Sequence, residues 1–246
     1  MRAAGPAPPP RLSRRLTPRL AAAILAVICA VAVARVTATY RVFSATADEA
    51  QHVAAGIDWW GNRFDRWRGA FMWHLMGNPP LARAAVGLRP YLAGLRPRKP
   101  ADVLYNPAGQ VETMRAARSA VLPFLVLLIV LTWAVARRLF GAAAGLVAAA
   151  AVSTLPPVLG HAGLATTDVA AAATYMLAFL TLARWFDSPS AGRAALFGLA
   201  FGLAFATKTS VLTLVPAAAL VLVHRRLASG PPPRAARARA AVAAEL

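Results

Sequence analysis

The sequence predicts an all-α, polytopic membrane helix bundle, and three observations predict it. First, 59% of the 246 residues are hydrophobic and the mean hydropathy is +0.55, which leaves a soluble domain too little polar surface. Second, the apolar residues fall in six blocks with almost no charge, at 20–34, 116–136, 139–158, 169–183, 194–206 and 211–223. Third, the basic residues gather at the ends of those blocks. A bilayer span needs about 20 mostly apolar residues, so about six transmembrane helices are expected, several borrowing Thr, Ser or Tyr at their ends.

The net charge of +18 and a pI near 11.8 invite a nucleic-acid reading. The placement of the arginines argues against it: they punctuate apolar blocks and do not line one soluble face. Arg2, Arg11, Arg14, Arg15 and Arg19 precede the first block without an acidic residue, so the positive-inside rule puts residues 1–19 in the cytoplasm. If every block spans, Arg137-Arg138, Arg184 with Arg193, and Arg225-Arg226 with the Arg-rich tail at 227–246 fall on that same side. The Ala/Arg/Pro-rich usage resembles that of a bacterial genome of high GC content, and the expected location is then the bacterial inner membrane. The first block also fits a secretory signal with a small-residue site near Ala32; either way the loop after it lies outside. The single cysteine, Cys29, permits no intramolecular disulfide.

The loop at about 40–115 is the first extracytoplasmic element. It opens with Asp48-Glu49-Ala50-Gln51-His52. On a helix, Asp48 and His52 stack at i, i+4 and Glu49 and His52 at i, i+3. Such a cluster suits a general base or a divalent cation; equally, it suits a solvated helix start with acids at its positive dipole end. Trp59, Trp60, Phe64, Trp67, Phe71 and Trp73, interleaved with Arg63, Arg66 and Arg68, read as an interfacial aromatic belt. The turn Asn78-Pro79-Pro80 then leads into a short amphipathic interfacial helix limited by Pro90.

Between the third and fourth blocks, Thr166 or Thr167 is expected to cap the fourth helix, with Asp168 in its first turn. An ionisable residue at such a helix end is also a functional candidate. Lys208 lies between two apolar blocks, either snorkelling to the interface or clamping a phosphate as a point charge.

Three stretches, taken in order, resemble the C-type (GT-C) membrane glycosyltransferases, specifically the family 39-like enzymes related to protein mannosyltransferases and lipid A aminoarabinose transferases. They are Ala47-Asp48-Glu49-Ala50-Gln51-His52 continuing to Asn78-Pro79-Pro80-Leu81-Ala82-Arg83; Ala136-Arg137-Arg138-Leu139-Phe140-Gly141 with His161 and Ala165-Thr166-Thr167-Asp168; and the run 198–208 ending in Thr207-Lys208, closed by Leu214-Val215-Pro216. The resemblance implies a module over 20–226 that moves a sugar from a polyprenyl-phosphate carrier to an acceptor hydroxyl, the chain corresponding to the N-terminal half of such an enzyme. It makes Asp48 the catalytic base, with Glu49 and Asp168 shaping the site or helping to hold a cation. Lys208 and Arg83 are the candidates for the carrier phosphate, with His52 and His161 beside them. The one cofactor to consider is a possible divalent cation. The expected partners are the lipid-linked sugar and membrane lipids. A competing reading is a non-catalytic module that binds lipid-linked sugar or a partner subunit. A small transporter fits less well, because the ionisable residues sit at span ends and not deep within them.

Overall fold

The computed structural model describes residues 17–61, 79–105 and 109–228. The basic stretch at 1–16, the belt residues from Arg63 to Trp73 with Asn78, and the tail beyond 228 lie outside the described residues. Every regular element among the described residues is helical.

Helix α1 (Pro18–Thr39) begins where its sequence says it should. The Thr17 hydroxyl accepts from the Leu20 N–H at 3.3 Å and proline occupies the first helical position, both standard N-terminal signals. Its 22 residues extend about 33 Å at 1.5 Å per residue, enough to cross a hydrocarbon core of about 30 Å. Ala21, Leu25, Ala32 and Val36 form the stripe it buries, while Val27 and Val31 remain exposed, as lipid-facing side chains do.

Helices α2 (Ala47–Gly61) and α3 (Pro80–Leu92) pack on each other almost backbone to backbone. A Cβ on Gly56 would stand 1.9 Å from the Arg83 carbonyl oxygen, and one on Gly87 would stand 2.3 Å from the Gly56 carbonyl carbon. Only glycine at both positions allows that approach. After a single turn, α4 (Ala101–Leu104), helix α5 (Gln110–Arg118) runs through a 3₁₀ turn at Ser119–Val121 into α6 (Leu122–Phe140), giving a helical run of 31 residues.

Gly141, with φ of +94°, reverses the chain into α7 (Ala142–Thr154). Gly145 lets α7 lie close against Trp133 and Arg137 of α6. Helix α8 (Pro156–Ala162) follows at an angle of 60° to α7, because Pro156 cannot donate to the preceding turn and pushes Leu155 into extended geometry. The apolar block at 139–158 is thus two bent pieces and not one straight span. Helices α9 (Asp168–Asp187), α10 (Ala191–Thr207) and α11 (Val211–Ala228) complete the bundle.

Four helical runs, Pro18–Thr39, Gln110–Phe140, Asp168–Asp187 and Val211–Ala228, are long and apolar enough to cross a membrane, and the bent α7–α8 pair makes a fifth. The fifth apolar block, at 194–206, becomes the 17-residue α10, short for a perpendicular span. The chain is therefore an integral membrane helix bundle. One apolar core joins α1, α2, α3, α5–α6, α7 and the start of α9; a second joins the rest of α9 to α10 and α11. Helix α9 belongs to both and sits at the centre, half of its apolar window being buried against 11% for α11.

The two ends of the bundle differ chemically. At one end Arg138 of α6 pairs with Asp187 of α9, Arg193 of α10 donates to the Ser188 carbonyl at 2.8 Å, and Arg226 of α11 donates to the Phe186 carbonyl at 2.8 Å. These arginines are ones that the charge pattern puts on a common side. At the other end lie the last turn of α1, the starts of α2 and α9, and the break between α10 and α11.

Candidate functional site

That second end is organised around an arginine buried inside an apolar run. Taking a guanidinium out of water is costly unless its donors are all met, and Arg118 meets all five. Nε and Nη2 donate to Glu49 Oε1 at 2.7 Å and Oε2 at 2.9 Å. The remaining N–H groups reach the carbonyls of Tyr40 at 3.2 Å and of Phe43 and Ser44 at 3.1 Å. Both side chains are essentially inaccessible, at 1% and 0% exposure.

Glu49 is equally committed. Beyond Arg118, Oε1 accepts the Ala165 N–H at 2.8 Å and Oε2 the Thr46 N–H at 3.0 Å. All four lone-pair directions of the carboxylate are used. Burial alone would push the Glu49 pKa up; the guanidinium and the two N–H donors outweigh it and hold the carboxyl below its ordinary range. One ion pair thereby ties the turn after α1, the start of α2, the end of α5 and the α8–α9 loop into one piece.

Across that loop, Asp168 opens α9. Thr167 occupies the cap position, but its hydroxyl makes no capping bond. Instead the Asp168 carboxylate turns to side chains: Oδ1 accepts from Lys208 Nζ at 3.0 Å, and His161 Nδ1 lies 3.3 Å from Oδ2. Lys208 ends α10 in extended geometry, with φ of −157° and ψ of 132°, and its ammonium is bound to a carboxylate and not merely solvated. An apolar groove of about 200 Å³, lined by Leu128, Pro157, Val158, Val169 and Ala172, runs up to His161 and Asp168.

The third part is the α2–α3 contact. One turn from the Gly56–Gly87 crossing, buried Arg83 donates from Nε to His52 Nδ1 at 3.3 Å. Because a guanidinium is always a donor, that nitrogen of His52 carries no proton. Desolvation, reinforced by the Arg83 charge, holds the His52 pKa below its usual value, against the pull of Asp48 and Asp168 in the other direction. Lys208 also acts electrostatically on His52, so α2, α3, α9 and the α10 end share one field.

Asp48 stands on the first turn of α2 beside buried Glu49. Its carboxylate is exposed and makes no hydrogen bond or ion pair among the described residues. No three His, Cys, Asp or Glu side chains among the described residues come together to hold a metal ion. Two adjacent acids thus face opposite fates, one locked inside and one open to solvent.

The sequence profile of the dolichyl-phosphate-mannose-protein mannosyltransferase family matches residues 110–234, just over half of the chain. The chain belongs to that family. Neither a comparison with curated proteins nor one with solved structures gives a match. Family membership makes this a membrane glycosyltransferase-type protein, its description naming a lipid-phosphate-linked sugar. The matched segment holds Arg118, His161, Asp168 and Lys208; Asp48, Glu49, His52 and Arg83 lie before it.

Of the residues that the sequence singles out, the structure brings Asp168, Lys208 and His161 into direct contact and bonds His52 to Arg83. The residue that the sequence reading passes over is Arg118, counted within the apolar block at 116–136. The available signal is its cost: an arginine in an apolar helix must find an acid, and the sequence holds only 9 Asp and Glu residues from which to choose.

Proposed function

We propose that this chain is a glycosyltransferase module that takes a sugar from a polyprenyl-phosphate carrier and passes it to an acceptor hydroxyl at the extracytoplasmic membrane face. The observation that carries the reading is the placement of Asp48, His52, Arg83, His161, Asp168 and Lys208 at one end of the bundle, with an apolar groove opening onto the His161–Asp168 pair. Attack at an anomeric carbon needs a base on the incoming hydroxyl and positive charge on the departing phosphate. Asp48 is the open carboxylate and takes the role of base. Lys208, Arg83 and the two histidines supply the positive or donor groups for the carrier phosphate, and the groove takes the first carbons of its lipid.

In this reading Glu49 is a positioning residue, its oxygens being spent on Arg118, Ala165 and Thr46. Asp168 holds Lys208 and orients it toward the phosphate. The module comprises residues 20–226, between a basic cytoplasmic segment at 1–19 and a basic cytoplasmic tail at 227–246, in the inner membrane of a bacterium. The alternation of the arginine end with the site end supports this orientation.

The test is sugar transfer by membranes carrying the full chain, supplied with a radiolabelled polyprenyl-phosphate-linked sugar. Asp48→Asn should lower transfer by about a hundredfold or more, the usual scale for losing a general base. Transfer by Asp48→Asn at the wild-type rate removes Asp48 from the chemistry.

A further inference from the structure

Lys208 follows the last residue of α10, where the chain breaks for three residues before α11 begins. In a membrane protein, carbonyls freed at such a break must be satisfied internally. The Lys208 carbonyl accepts from the Tyr175 hydroxyl at 3.0 Å, and the same hydroxyl lies 2.7 Å from Ser210 Oγ. A phenol has one proton to give, so the arrangement with every group satisfied runs from the Ser210 hydroxyl to the Tyr175 oxygen and from the Tyr175 hydroxyl to the Lys208 carbonyl.

Tyr175 and Asp168 stand seven residues apart on α9, about two turns and on one face. Lys208 is therefore gripped twice by the same helix: its ammonium by Asp168 at 3.0 Å and its main chain by Tyr175 at 3.0 Å. The Lys208 side chain spans the interval between those two anchors. With one anchor at each end, the ammonium has a fixed height above the start of α9, next to His161 and the mouth of the apolar groove. Without the upper anchor, the 208–210 break is held only by its own local turns and the lysine pivots about Asp168. A flexible lysine carries a large rotamer entropy, so fixing its backbone raises the share of time that its charge spends where an anion can use it.

We propose that Tyr175 is a positioning residue for Lys208, setting where its ammonium meets the phosphate of a lipid-phosphate ligand. This rests on the reading of Lys208 as a phosphate-binding residue, and the experiment separates the two.

The full chain, reconstituted in lipid nanodiscs, is titrated with geranylgeranyl phosphate, and affinities are compared for wild type, Tyr175→Phe, Lys208→Met and the double variant. Lys208→Met should weaken binding about tenfold or more, and Tyr175→Phe about three- to tenfold, the scale of one hydrogen bond. The double variant should bind no more weakly than Lys208→Met alone, because Tyr175 has nothing left to position. A general loss of packing would instead add to the effect of Lys208→Met. Full additivity, or wild-type affinity in Tyr175→Phe while Lys208→Met is impaired, overturns the role of Tyr175 and leaves that of Lys208 intact. Wild-type affinity in Lys208→Met overturns the phosphate reading of Lys208, and the Tyr175 proposal with it.

Discussion

Arg118 and Glu49 meet in a bidentate ion pair, at 2.7 and 2.9 Å, between the end of α5 and the start of α2. They are 69 residues apart in sequence and almost wholly hidden from solvent. Charged partners buried this completely do little for net stability as a pair, since desolvation offsets much of their attraction. Removing one partner is another matter, because it strands the other.

Glu49→Gln or Arg118→Met should therefore cost about 3–5 kcal/mol of stability. Thermal unfolding in detergent, compared with wild type, reads this out. Arg118→Lys should fall between, since an ammonium offers three donors where the site uses five. If Glu49→Gln keeps the wild-type unfolding temperature but loses sugar transfer, Glu49 acts in the chemistry and not as a brace.

The Gly56–Gly87 crossing fixes how His52 approaches Arg83. Gly56→Ala and Gly87→Ala each force a Cβ into backbone at 1.9 and 2.3 Å, where no side-chain rotation gives relief. A loss of about 2 kcal/mol or more is expected, at the upper end of overpacking costs. Gly198→Ala, on an exposed stretch of α10 with nothing within 4 Å, should leave the unfolding temperature unchanged or slightly raised, since alanine favours the helix over glycine. Equal behaviour of all three would contradict the close α2–α3 contact.

His52 gives a pH dependence with a definite sign. Its folded pKa lies below the ordinary 6.5, so below that pH the unfolded chain takes up a proton that the folded chain resists. Stability is full above about pH 6.5 and falls as the pH drops through the folded value. Unfolding temperatures between about pH 7.5 and pH 5.5 should decline in wild type and decline less in His52→Gln. Glu49, whose pKa is depressed, acts lower, beneath the ordinary 4.5 of a glutamate. An identical slope in both proteins would show that His52 does not resist its proton.

Much of this fold is legible in the sequence, because spans are long, apolar and bounded by arginines. Thr17-Pro18 marks a helix start and Gly141 a reversal; Pro156 breaks the block at 139–158, although that block also reads as one span. The site is legible only in part. Asp168 and Lys208 are 40 residues apart, and no local pattern pairs them; each alone looks like a cap or a snorkelling charge. Asp48 and Glu49 are adjacent and chemically alike, so nothing local says which one faces inward. That is decided by Arg118, and hence by how the α5–α6 run packs against the turn after α1.

The proposed site requires Asp48 and Lys208 to emerge on the same, extracytoplasmic side of the membrane. Single cysteines at the exposed neighbours Ala47 and Thr209, each introduced into the Cys29→Ala background, report this directly in intact cells. A membrane-impermeant thiol reagent should label both without permeabilisation. Labelling of either position only after the cells are opened would place it on the cytoplasmic side and contradict the proposed site.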